Sequence, residues 1–406
     1  MPKNQIIAGL DIGTGFLKMV VVRKNNRNLE ILSQATVPSF GLRKGAVVDV
    51  EETAKNIQIL VSEIKKTWDR KINSVFVNIG GSHLHVSPSD GTISVSRADQ
   101  KISHEDIERV IQATRAINLP SNEEILDVFP REFIIDGQAG IKEPLGLSGI
   151  RLEAKVLLLR TFSPYFLNLT QAVLNANLKI DDIIPSPLAA AAAVLTPQQK
   201  ELGTAVVDIG ASTTSLAVFE EGGLLHLAIL PIGSANITND IAIGLRTEIG
   251  LAEKIKKEFG NCFLGKNKKS QKAQDKKKIE SIEKTTPLVF SQKTLVNIIE
   301  PRVSEIFELI QKELKKIGKQ ELLPGGIVLT GGGAKLPKIE DLARQHLRLP
   351  CEIGLPQRIA GLEKDPGLAT VCGLVLEGAD SDNNNRNSDG QGIWAKLKKV
   401  FRIFIP

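Results

Sequence analysis

Residues 6–22, IIAGLDIGTGFLKMVVV, place a glycine-rich turn between two apolar runs, and residues 203–233 repeat the arrangement as GTAVVDIGASTTSLAVFEEGGLLHLAILPIG. In both copies the first apolar run ends in Asp-Ile-Gly, at Asp11 and at Asp208, and small hydroxyl residues follow. Short apolar runs bounded by glycine predict buried strands joined by tight turns. Because the device occurs twice, it predicts two related α/β domains that face each other across a cleft.

These glycine-rich turns have the composition of a phosphate-binding device. Glycine lets backbone N–H groups approach a phosphate closely, and the hydroxyl groups of Thr or Ser add hydrogen-bond donors. An aspartate at the end of a strand suits Mg²⁺, which accepts few carboxylates and keeps several waters. Residues 331–333 are three consecutive glycines between the predicted strand GGIVLT (325–330) and a predicted helix, whose N-terminus suits an anion or an adenosine. Each turn alone is equally typical of an ordinary β-hairpin, whereas the three segments together predict a nucleotide site.

The positive charge of the chain lies in two short segments. The 406 residues carry a formal net charge of +6, with an isoelectric point near 9.0. Residues 254–284 contain eleven lysines and four acidic residues, and residues 393–406 contain four cations and no acid, so the remainder is slightly acidic. Aromatic residues make up 4% of the chain, too few for a surface that stacks nucleic-acid bases. We therefore expect no nucleic-acid partner.

Targeting signals and cysteines indicate a cytoplasmic protein. No apolar run approaches the roughly 20 residues of a membrane-spanning helix, and the N-terminus lacks the features of a signal peptide. The three scattered cysteines fit a reducing compartment better than a disulfide framework.

The C-terminal residues combine a polar segment with an amphipathic one. Residues 379–392, ADSDNNNRNSDGQG, are polar and predict a flexible linker. Residues 393–406, IWAKLKKVFRIFIP, place large apolar side chains on one face of a helix and cations on the other. Such a helix lies in a membrane interface with its cations near anionic headgroups, and docking on the protein's own core is the alternative. The residues predicted to meet the membrane are Trp394, Leu397, Lys398, Lys399, Val400, Phe401, Arg402 and Phe404.

The chain resembles the actin-like ATPase superfamily, because five segments occur in the order of that superfamily's nucleotide site. They are the turn at 11–15, the helix at 187–195, the turn at 208–214, the glycines at 331–333 and the helix at 367–376. More narrowly, the chain resembles the FtsA family, actin-like bacterial cell division proteins that tether FtsZ to the membrane. The narrower resemblance rests on PREFIIDGQAGIKEPLGLSGIRLEAKV (130–156), AEKIKKEFGNC (252–262), GIVLTGGGAKLPKIEDLA (326–343) and the amphipathic terminus.

The resemblance implies an ATP site in which Asp11 and Asp208 organise Mg²⁺ through water. The nucleotide contacts that it implies are Thr14, Gly15 and Lys18 in the first turn, Gly210, Ser212 and Thr213 in the second, Glu253 and Lys256 on one helix face, and Gly331, Gly332 and Gly333. The chain departs from the family pattern at Ala211 and Ser212, where glycines are common. The helix at 187–195 also contains no Gln, Glu or His to position an attacking water. We therefore expect ATP binding with at most weak hydrolysis, and we assign no catalytic residue.

The resemblance also implies a division into subdomains, with an FtsA-type insertion called 1C in place of the usual actin subdomain. The expected boundaries are 1–83 for 1A, 84–162 for 1C, 163–202 for 1A again, 203–236 for 2A, 237–296 for 2B with a lysine-rich arm at 266–284, 297–366 for 2A again, 367–378 for the closing helix of 1A, 379–392 for the linker and 393–406 for the membrane helix.

The function implied is that of an ATP-binding, peripheral membrane protein at the division site. Such a protein polymerises on the inner face of the cytoplasmic membrane, anchors FtsZ filaments and helps to recruit later division proteins. Its expected partners are the FtsZ C-terminal tail, further copies of itself, the membrane and those later proteins. The lysine-rich arm is either a solvated loop or an aid to capturing the acidic tail. Arg302, after Pro301 at a predicted helix start, is a second candidate contact for the tail.

Two other functions fit parts of the pattern. An actin-like type IV pilus assembly ATPase has the same kind of insertion, although the amphipathic terminus and residues 130–156 favour the division protein. A small-molecule kinase of the same fold needs an aspartate base for its acceptor hydroxyl. Asp11 and Asp208 are the candidates for that base, but both are already assigned to the metal, which makes a kinase the less favoured function.

Overall fold

A computed structural model describes residues 5–25, 28–263, 276–279 and 288–386 of the chain. The first part contains β1 (Gln5–Ile12), β2 (Phe16–Asn25), β3 (Asn28–Pro38), β4 (Leu42–Arg43), β5 (Ala46–Val47), α1 (Val50–Thr67) and β6 (Ser74–Ile79). The insertion contains β7 (His85–Ser94), α2 (His104–Thr114), β8 (Glu123–Ile135), β9 (Gln138–Ile141) and β10 (Arg151–Phe162). The chain then returns through α3 (Ser163–Asn175), β11 (Lys179–Pro185), α4 (Ser186–Val194) and α5 (Pro197–Leu202).

The second part repeats the strand–turn–strand beginning of the first. It contains β12 (Thr204–Ile209), β13 (Thr214–Glu220), β14 (Gly223–Leu230), α6 (Ser234–Leu245), α7 (Ile249–Phe259), β15 (Lys276–Ile279), β16 (Leu288–Ser291), α8 (Gln292–Lys316), β17 (Ile327–Thr330), a 3₁₀ turn (Gly332–Lys335), α9 (Ile339–Leu347) and β18 (Cys351–Ile353). The described chain closes with β19 (Ile359–Ala360), a second 3₁₀ turn (Pro366–Leu368) and α10 (Ala369–Arg386).

Two sheets of the same design form the two domains, as the internal repeat predicts. The first has the order β11-β6-β1-β2-β3-β19 and the second the order β14-β13-β12-β17-β18. In each, an antiparallel hairpin carries the Asp-Ile-Gly turn and the first strand of that hairpin also pairs in parallel with a later strand. Because both turns stand at the carboxyl end of a buried strand, they meet where open α/β sheets bind ligands. The prediction of two related α/β domains around a cleft is therefore confirmed.

The insertion forms a separate four-stranded sheet in the order β7-β10-β8-β9 with its own apolar core. Its helix α2 packs Ile107, Val110 and Ile111 into that core. This helix begins after Ser103, where Ser103 and Asp106 exchange the two hydrogen bonds of a capping box.

Helices α4 and α10 approach each other closely enough to exclude any side chain at the crossing. A Cβ atom added to Gly373 would lie 1.7 Å from the carbonyl oxygen of Ala189. The alanine-rich composition of α4 predicts such close packing, because small side chains let helix backbones approach. Both helices belong to a core cluster that includes residues of the two large sheets. The core cluster around this contact therefore extends across both domains.

Four local predictions differ from the structure. The predicted linker does not begin at residue 379, since α10 continues to Arg386. A helix already nucleated by the buried turns before residue 379 propagates into polar sequence at low cost.

The prediction of a helix start at Pro301 is also wrong, since α8 begins at Gln292 and contains Pro301. Buried Leu295 and Ile299 before the proline and Val303 and Phe307 after it share one core, and their packing outweighs the lost hydrogen bond.

The triple glycine does not open a regular α-helix directly. It leads into the 3₁₀ turn, and α9 begins only at Ile339.

Part of the lysine-rich arm, Lys276–Ile279, is a strand paired with β16 rather than a loop, and the rest of the arm lies outside the described residues.

Candidate nucleotide-binding site

A cavity of about 780 Å³ lies between the two domains and brings the predicted segments together. Of the predicted nucleotide and metal residues, its lining includes Asp11, Thr14, Gly15, Lys18, Asp208, Gly210, Thr213, Glu253, Lys256, Gly331, Gly332 and Gly333. Ser212 is the predicted residue outside this lining. Its backbone N–H donates to the hydroxyl of Thr14 at 3.0 Å. The two glycine-rich turns thus touch each other at the bottom of the cleft.

Asp11 is the centre of a buried hydrogen-bond network on the first domain. Its Oδ2 atom accepts from Lys18 Nζ at 3.1 Å, and its Oδ1 atom accepts from Asn78 Nδ2 at 2.8 Å. The hairpin register places Asp11 opposite Lys18, and the parallel pairing of β1 with β6 brings Asn78 beside them. Burial alone would lower the pKa of Lys18, but the charge and hydrogen bond of Asp11, with the charges of Asp208 and Asp365, raise it above its ordinary value. Lys18 therefore stays a fixed cation that faces the cavity.

Asn78 connects this network to the helix α4. Its Oδ1 atom accepts from the backbone N–H of Ile12 at 2.6 Å, and its Nδ2 atom also donates to Ser186 Oγ at 3.0 Å. Ser186 Oγ in turn donates to the carbonyl oxygen of Ile79 at 3.1 Å. The polar atoms of Asn78 are thus occupied, and its side chain holds the Asp11 carboxylate in one orientation.

Asp208 is held at the corresponding place on the second domain. Its Oδ2 atom accepts from Thr370 Oγ1 at 2.9 Å, so α10 fixes a carboxylate that belongs to the other domain. Burial raises the pKa of Asp208, the nearby Asp11 adds to this, and the bond from Thr370 and the charge of Lys18 offset part of it. A Cβ atom on Gly331 would lie 2.1 Å from Asp208 Oδ1, so only glycine fits there.

The chemistry of these donors fits Mg²⁺. Asp11 and Asp208 line one cavity, and each carboxylate has acceptor capacity beyond the bonds described above. Burial and the proximity of Asp11 make the charged form of Asp208 costly, and a divalent cation would relieve that cost. Two carboxylates with space for water form the kind of oxygen-only donor set that Mg²⁺ prefers.

Glu253 and Lys256 form a second polar cluster on the wall made by α6 and α7. Lys256 Nζ lies 2.6 Å from Glu253 Oε2 and donates to the Thr238 hydroxyl at 2.7 Å and to the Ser234 carbonyl oxygen at 3.0 Å. Burial lowers the pKa of Lys256, and the Glu253 carboxylate offsets part of that decrease. Glu253 and Lys256 thus lie on one face of α7, as their spacing of three residues predicts.

A contact across the cleft mouth joins the same wall to the first domain. Lys257 Nζ lies 5.9 Å from the ring centroid of Phe16, and 3.4 Å from Glu253 Oε1. Both Phe16 and Lys257 line the cavity. A cation over an aromatic face at this distance contributes a weak attraction between the two walls.

Sequence reasoning missed several residues that line the cavity, including Asn78, Ser186, Thr370, Lys335 and Asp365. Thr370 lies in the helix predicted to close the first domain. Asn78 is a polar residue within the otherwise apolar end of β6, and this polar residue was a signal that the sequence offered. Asp365 is a third carboxylate in the cleft, but its Oδ2 atom lies 2.5 Å from Lys335 Nζ and its Oδ1 atom accepts from Gly367 N–H at 2.7 Å.

The remaining predicted residues lie away from the cleft or outside the described chain. Arg302 is on α8, where its guanidinium binds both carboxylate oxygens of Asp240 at 2.6 and 3.0 Å and also contacts Glu305. The membrane-facing residues predicted at 393–406 lie outside the described residues. Within the ranges that the structure describes, every helix is too short or too polar to cross a bilayer.

The domain pair, the cleft and the inserted sheet define an actin-like ATPase fold. Two solved structures share it: the PilM-PilN type IV pilus biogenesis complex, with a TM-score of 0.67, 20% identity and coverage of 92% of this chain and 98% of that one, and MreB5 of Spiroplasma citri bound to ADP, with a TM-score of 0.57, 15% identity and coverage of 95% and 100%. These likenesses concern the fold alone. The predicted fold class is thereby confirmed.

Sequence comparison identifies the family. Residues 205–373 match the family model described as cell division protein FtsA, and residues 81–159 match that of the SHS2 domain inserted in FtsA. The cell division protein FtsA of Pseudomonas aeruginosa is 37% identical over 96% of this chain and 92% of the relative, and that of Bacillus subtilis is 34% identical over 92% and 84%. The protein of Escherichia coli K12 is 32% identical over 98% and 99%. The chain belongs to the FtsA family of cell division proteins, which confirms the resemblance.

Proposed function

We propose that this protein binds ATP with Mg²⁺ in the cleft and forms an actin-like polymer on the inner face of the cytoplasmic membrane at the division site. There it anchors FtsZ filaments through their C-terminal tails and helps to recruit later division proteins. The observation that carries the proposal is the cleft itself, where two turns from different domains, the triple glycine and the Glu253–Lys256 pair line one cavity. Its volume suits a nucleotide, since ligand sites commonly measure about 300–1,000 Å³.

The charges of the cleft support a bound nucleotide triphosphate with its metal. Lys18 is a fixed cation at the first turn, and glycines at both turns leave backbone N–H groups accessible. Asp11 and Asp208 would hold Mg²⁺ through its waters and so neutralise further phosphate charge. The neighbouring fold of MreB5, solved with ADP and with AMPPNP, supports the same assignment.

The composition of α4 supports slow hydrolysis. Ser186 is the residue of α4 that lines the cavity, and its hydroxyl is already bonded to Asn78 and to the Ile79 carbonyl. The helix sequence SPLAAAAAV offers no acid, amide or imidazole to orient an attacking water. The nucleotide then acts chiefly as a ligand that favours one arrangement of the two domains, and polymerisation follows from that arrangement.

Deleting residues 393–406 tests the membrane part of the proposal. We expect the truncated protein to fold and to bind ATP as before, because the described fold ends at Arg386. We expect its sedimentation with anionic liposomes to fall to a few per cent or less of the full-length value, since the amphipathic face is removed. Circular dichroism and nucleotide binding serve as controls, and unchanged sedimentation would contradict membrane attachment by this helix.

The partner is tested by comparing two peptides. We expect a peptide of the FtsZ C-terminal tail to bind in a fluorescence anisotropy assay, and a peptide from the pilus protein partner of PilM not to bind. The second peptide tests the alternative pilus function, because the PilM-PilN complex shares the fold of this chain. The reverse result would support the pilus function instead.

Arg302 is the predicted contact for an acidic tail, and its environment defines a matched pair of variants. The Arg302→Ser variant is expected to weaken tail binding roughly tenfold, because it removes a cation whose side chain is still 28% exposed. Asp240→Asn, which frees Arg302 from its carboxylate partner, is expected to leave binding unchanged or to strengthen it. Equal weakening by both variants would mean that only the local fold of α6 and α8 matters.

A further inference from the structure

We propose that one edge of the first domain contacts anionic lipid headgroups directly, as a second membrane contact beside the C-terminal helix. We call it the basal edge and define it as the amino-terminal ends of β1, β6 and β11 with the adjoining loop at 68–73. The proposal rests on the proposed function, because it supposes that residues 393–406 bring the protein to a bilayer.

The sheet register gathers separate parts of the chain at the basal edge. Strands β11, β6 and β1 are parallel neighbours, so all three begin there. The backbone N–H of Lys179, at the start of β11, donates to the carbonyl oxygen of Asn73 just before β6. The antiparallel hairpin β1–β2 pairs Gln5 with Lys24, which places the end of β2 at the same edge.

The last described helix leaves the protein at this edge. A Cβ atom on Gly9 would touch Val371 and Leu374 of α10, whereas Gly378 faces Ile7, so α10 runs toward the start of β1. The side chain of Lys24 binds the carbonyl oxygen of Ala379. Residues beyond 379 therefore extend past the edge, by about 10 Å to Arg386 at the rise of an α-helix.

The extent of α10 shortens the connection to the amphipathic segment. Only residues 387–392 separate Arg386 from position 393, and six residues span at most about 20 Å when fully extended. A linker of the predicted fourteen residues would allow about 50 Å. The basal edge is therefore held within about 30 Å of the bilayer, the sum of the helical extension and the extended linker. A domain tethered this closely can bring the edge within the roughly 8–10 Å over which charges act in physiological salt.

The basal edge carries exposed cations that are not neutralised by ion pairs. Arg70 and Lys71 in the loop at 68–73, Lys179 at the start of β11 and Lys65 in the adjoining last turn of α1 are exposed, and within the described ranges none of them belongs to an ion pair. Among the acidic residues of the same region, Glu63 pairs with Lys66, Glu30 with Arg23 and Asp380 with Arg358, and Asp182 accepts from the backbone N–H of Ile183 at 3.0 Å. Asp69 and Asp181 are exposed and form no ion pair with any described residue. Near the point where α10 leaves the domain, the four exposed cations outside ion pairs thus outnumber the two exposed acids outside ion pairs.

Trp68 adds a feature typical of membrane-facing loops. It follows α1 directly, its backbone N–H caps the helix by donating to the carbonyl oxygen of Ile64 at 2.9 Å, and its ring is only partly buried against the core. A half-buried indole flanked by Lys66 and Arg70 has the amphipathic character of residues found at headgroup level.

The test uses the full-length chain and its two tryptophans, Trp68 and Trp394. In a Trp394→Phe background, Trp68 is the sole indole, and energy transfer from it to a dansyl group on lipid headgroups reports how near the basal edge lies. We expect strong transfer on vesicles with 30% phosphatidylglycerol. We expect little transfer on neutral vesicles, even at lipid concentrations that bind the protein through its apolar helix face. Absence of transfer on the anionic vesicles, with the protein bound, would overturn the proposal.

A pair of charge-matched variants gives the second measurement. Lys65→Gln, Arg70→Gln and Lys71→Gln together are expected to weaken binding to the anionic vesicles roughly tenfold or more, since each cation near an anionic surface contributes to binding. The control combines Lys293→Gln, Lys312→Gln and Lys315→Gln, three exposed cations on α8 in the other domain, and is expected to change binding less than twofold. Equal effects of the two triple variants would overturn the basal-edge contact while leaving the C-terminal helix proposal intact. If the C-terminal helix proposal were wrong, the variant that lacks residues 393–406 would instead sediment with liposomes like the full-length protein.

Discussion

Replacing Gly331 by alanine is expected to lower the free energy of unfolding by about 3 kcal/mol or more and to abolish ATP binding. The backbone at Gly331 has φ 85° and ψ 170°, a region that essentially only glycine adopts, and forcing alanine into it costs about 1–3 kcal/mol. The added Cβ atom would also lie 2.1 Å from Asp208 Oδ1 and 2.6 Å from the Ile209 carbonyl oxygen. Relieving that overlap costs a further 1–3 kcal/mol or so, and it moves the carboxylate assigned to Mg²⁺.

The neighbouring glycine provides the control. A Cβ atom on Gly332 meets nothing within 4 Å, and its φ is not positive, so Gly332→Ala is expected to keep the stability within about 0.5 kcal/mol. Urea unfolding measures the stability of both variants, and titration of a fluorescent ATP analogue measures binding. If Gly331→Ala unfolded and bound ATP like the wild type, the assignment of this turn to the nucleotide site would be wrong.

Replacing Lys18 by methionine is expected to reduce ATP affinity at least about thirtyfold, which corresponds to the lower end of the 2–5 kcal/mol cost of truncating a buried charge pair. The substitution removes the fixed cation of the first turn and leaves the Asp11 carboxylate with Asn78 as its remaining partner from this network. Because Asp11 and Asp208 would then repel the phosphates without the opposing charge of Lys18, the loss should be greatest when Mg²⁺ is absent. Isothermal titration with and without Mg²⁺ measures both effects.

A second substitution separates the binding loss from a loss of stability. Lys18→Met alone is expected to lower the free energy of unfolding by about 3 kcal/mol, because a buried carboxylate loses its cation. Adding Asp11→Asn removes that charge and should restore much of the stability, but with Mg²⁺ present it should restore none of the ATP affinity, because it also removes a carboxylate assigned to the metal. Lys335→Met removes a half-exposed cation at the cleft rim and serves as the control for stability. It should lower the free energy of unfolding by less than about 1 kcal/mol. Recovery of ATP binding in the double variant would show that Lys18 only stabilises the fold.

Much of the fold follows from local patterns. The repeated apolar runs predict the hairpins β1–β2 and β12–β13, because a strand buried on both faces is continuously apolar, and glycine with Asp marks the turn between them. The small residues of α4 predict its close contact with α10, since two helix backbones approach only where side chains are short.

Local patterns failed where packing at a distance overrides composition. The polar residues after 378 predicted a linker, yet α10 extends to Arg386 because its buried first turns nucleate the helix. Pro301 predicted a helix start, yet α8 passes through it because apolar residues on both sides enter one core. In both cases the deciding residues lie outside the window on which the prediction depended.

The sequence by itself determined the two related domains, the glycine-rich turns, the pairing of Glu253 with Lys256 on one helix face and the family. Each of these depends on residues that are close together in the chain or on an order of segments that the chain preserves. The tertiary structure alone decided which distant side chains complete the cleft. Asn78 reaches Asp11, Thr370 reaches Asp208 and the Ser212 backbone reaches Thr14 because strand register and helix packing bring them within 3.0 Å. The physical reason is that hydrogen bonds act over about 3 Å, whereas no local propensity carries information about which residues 67 to 198 positions apart will meet.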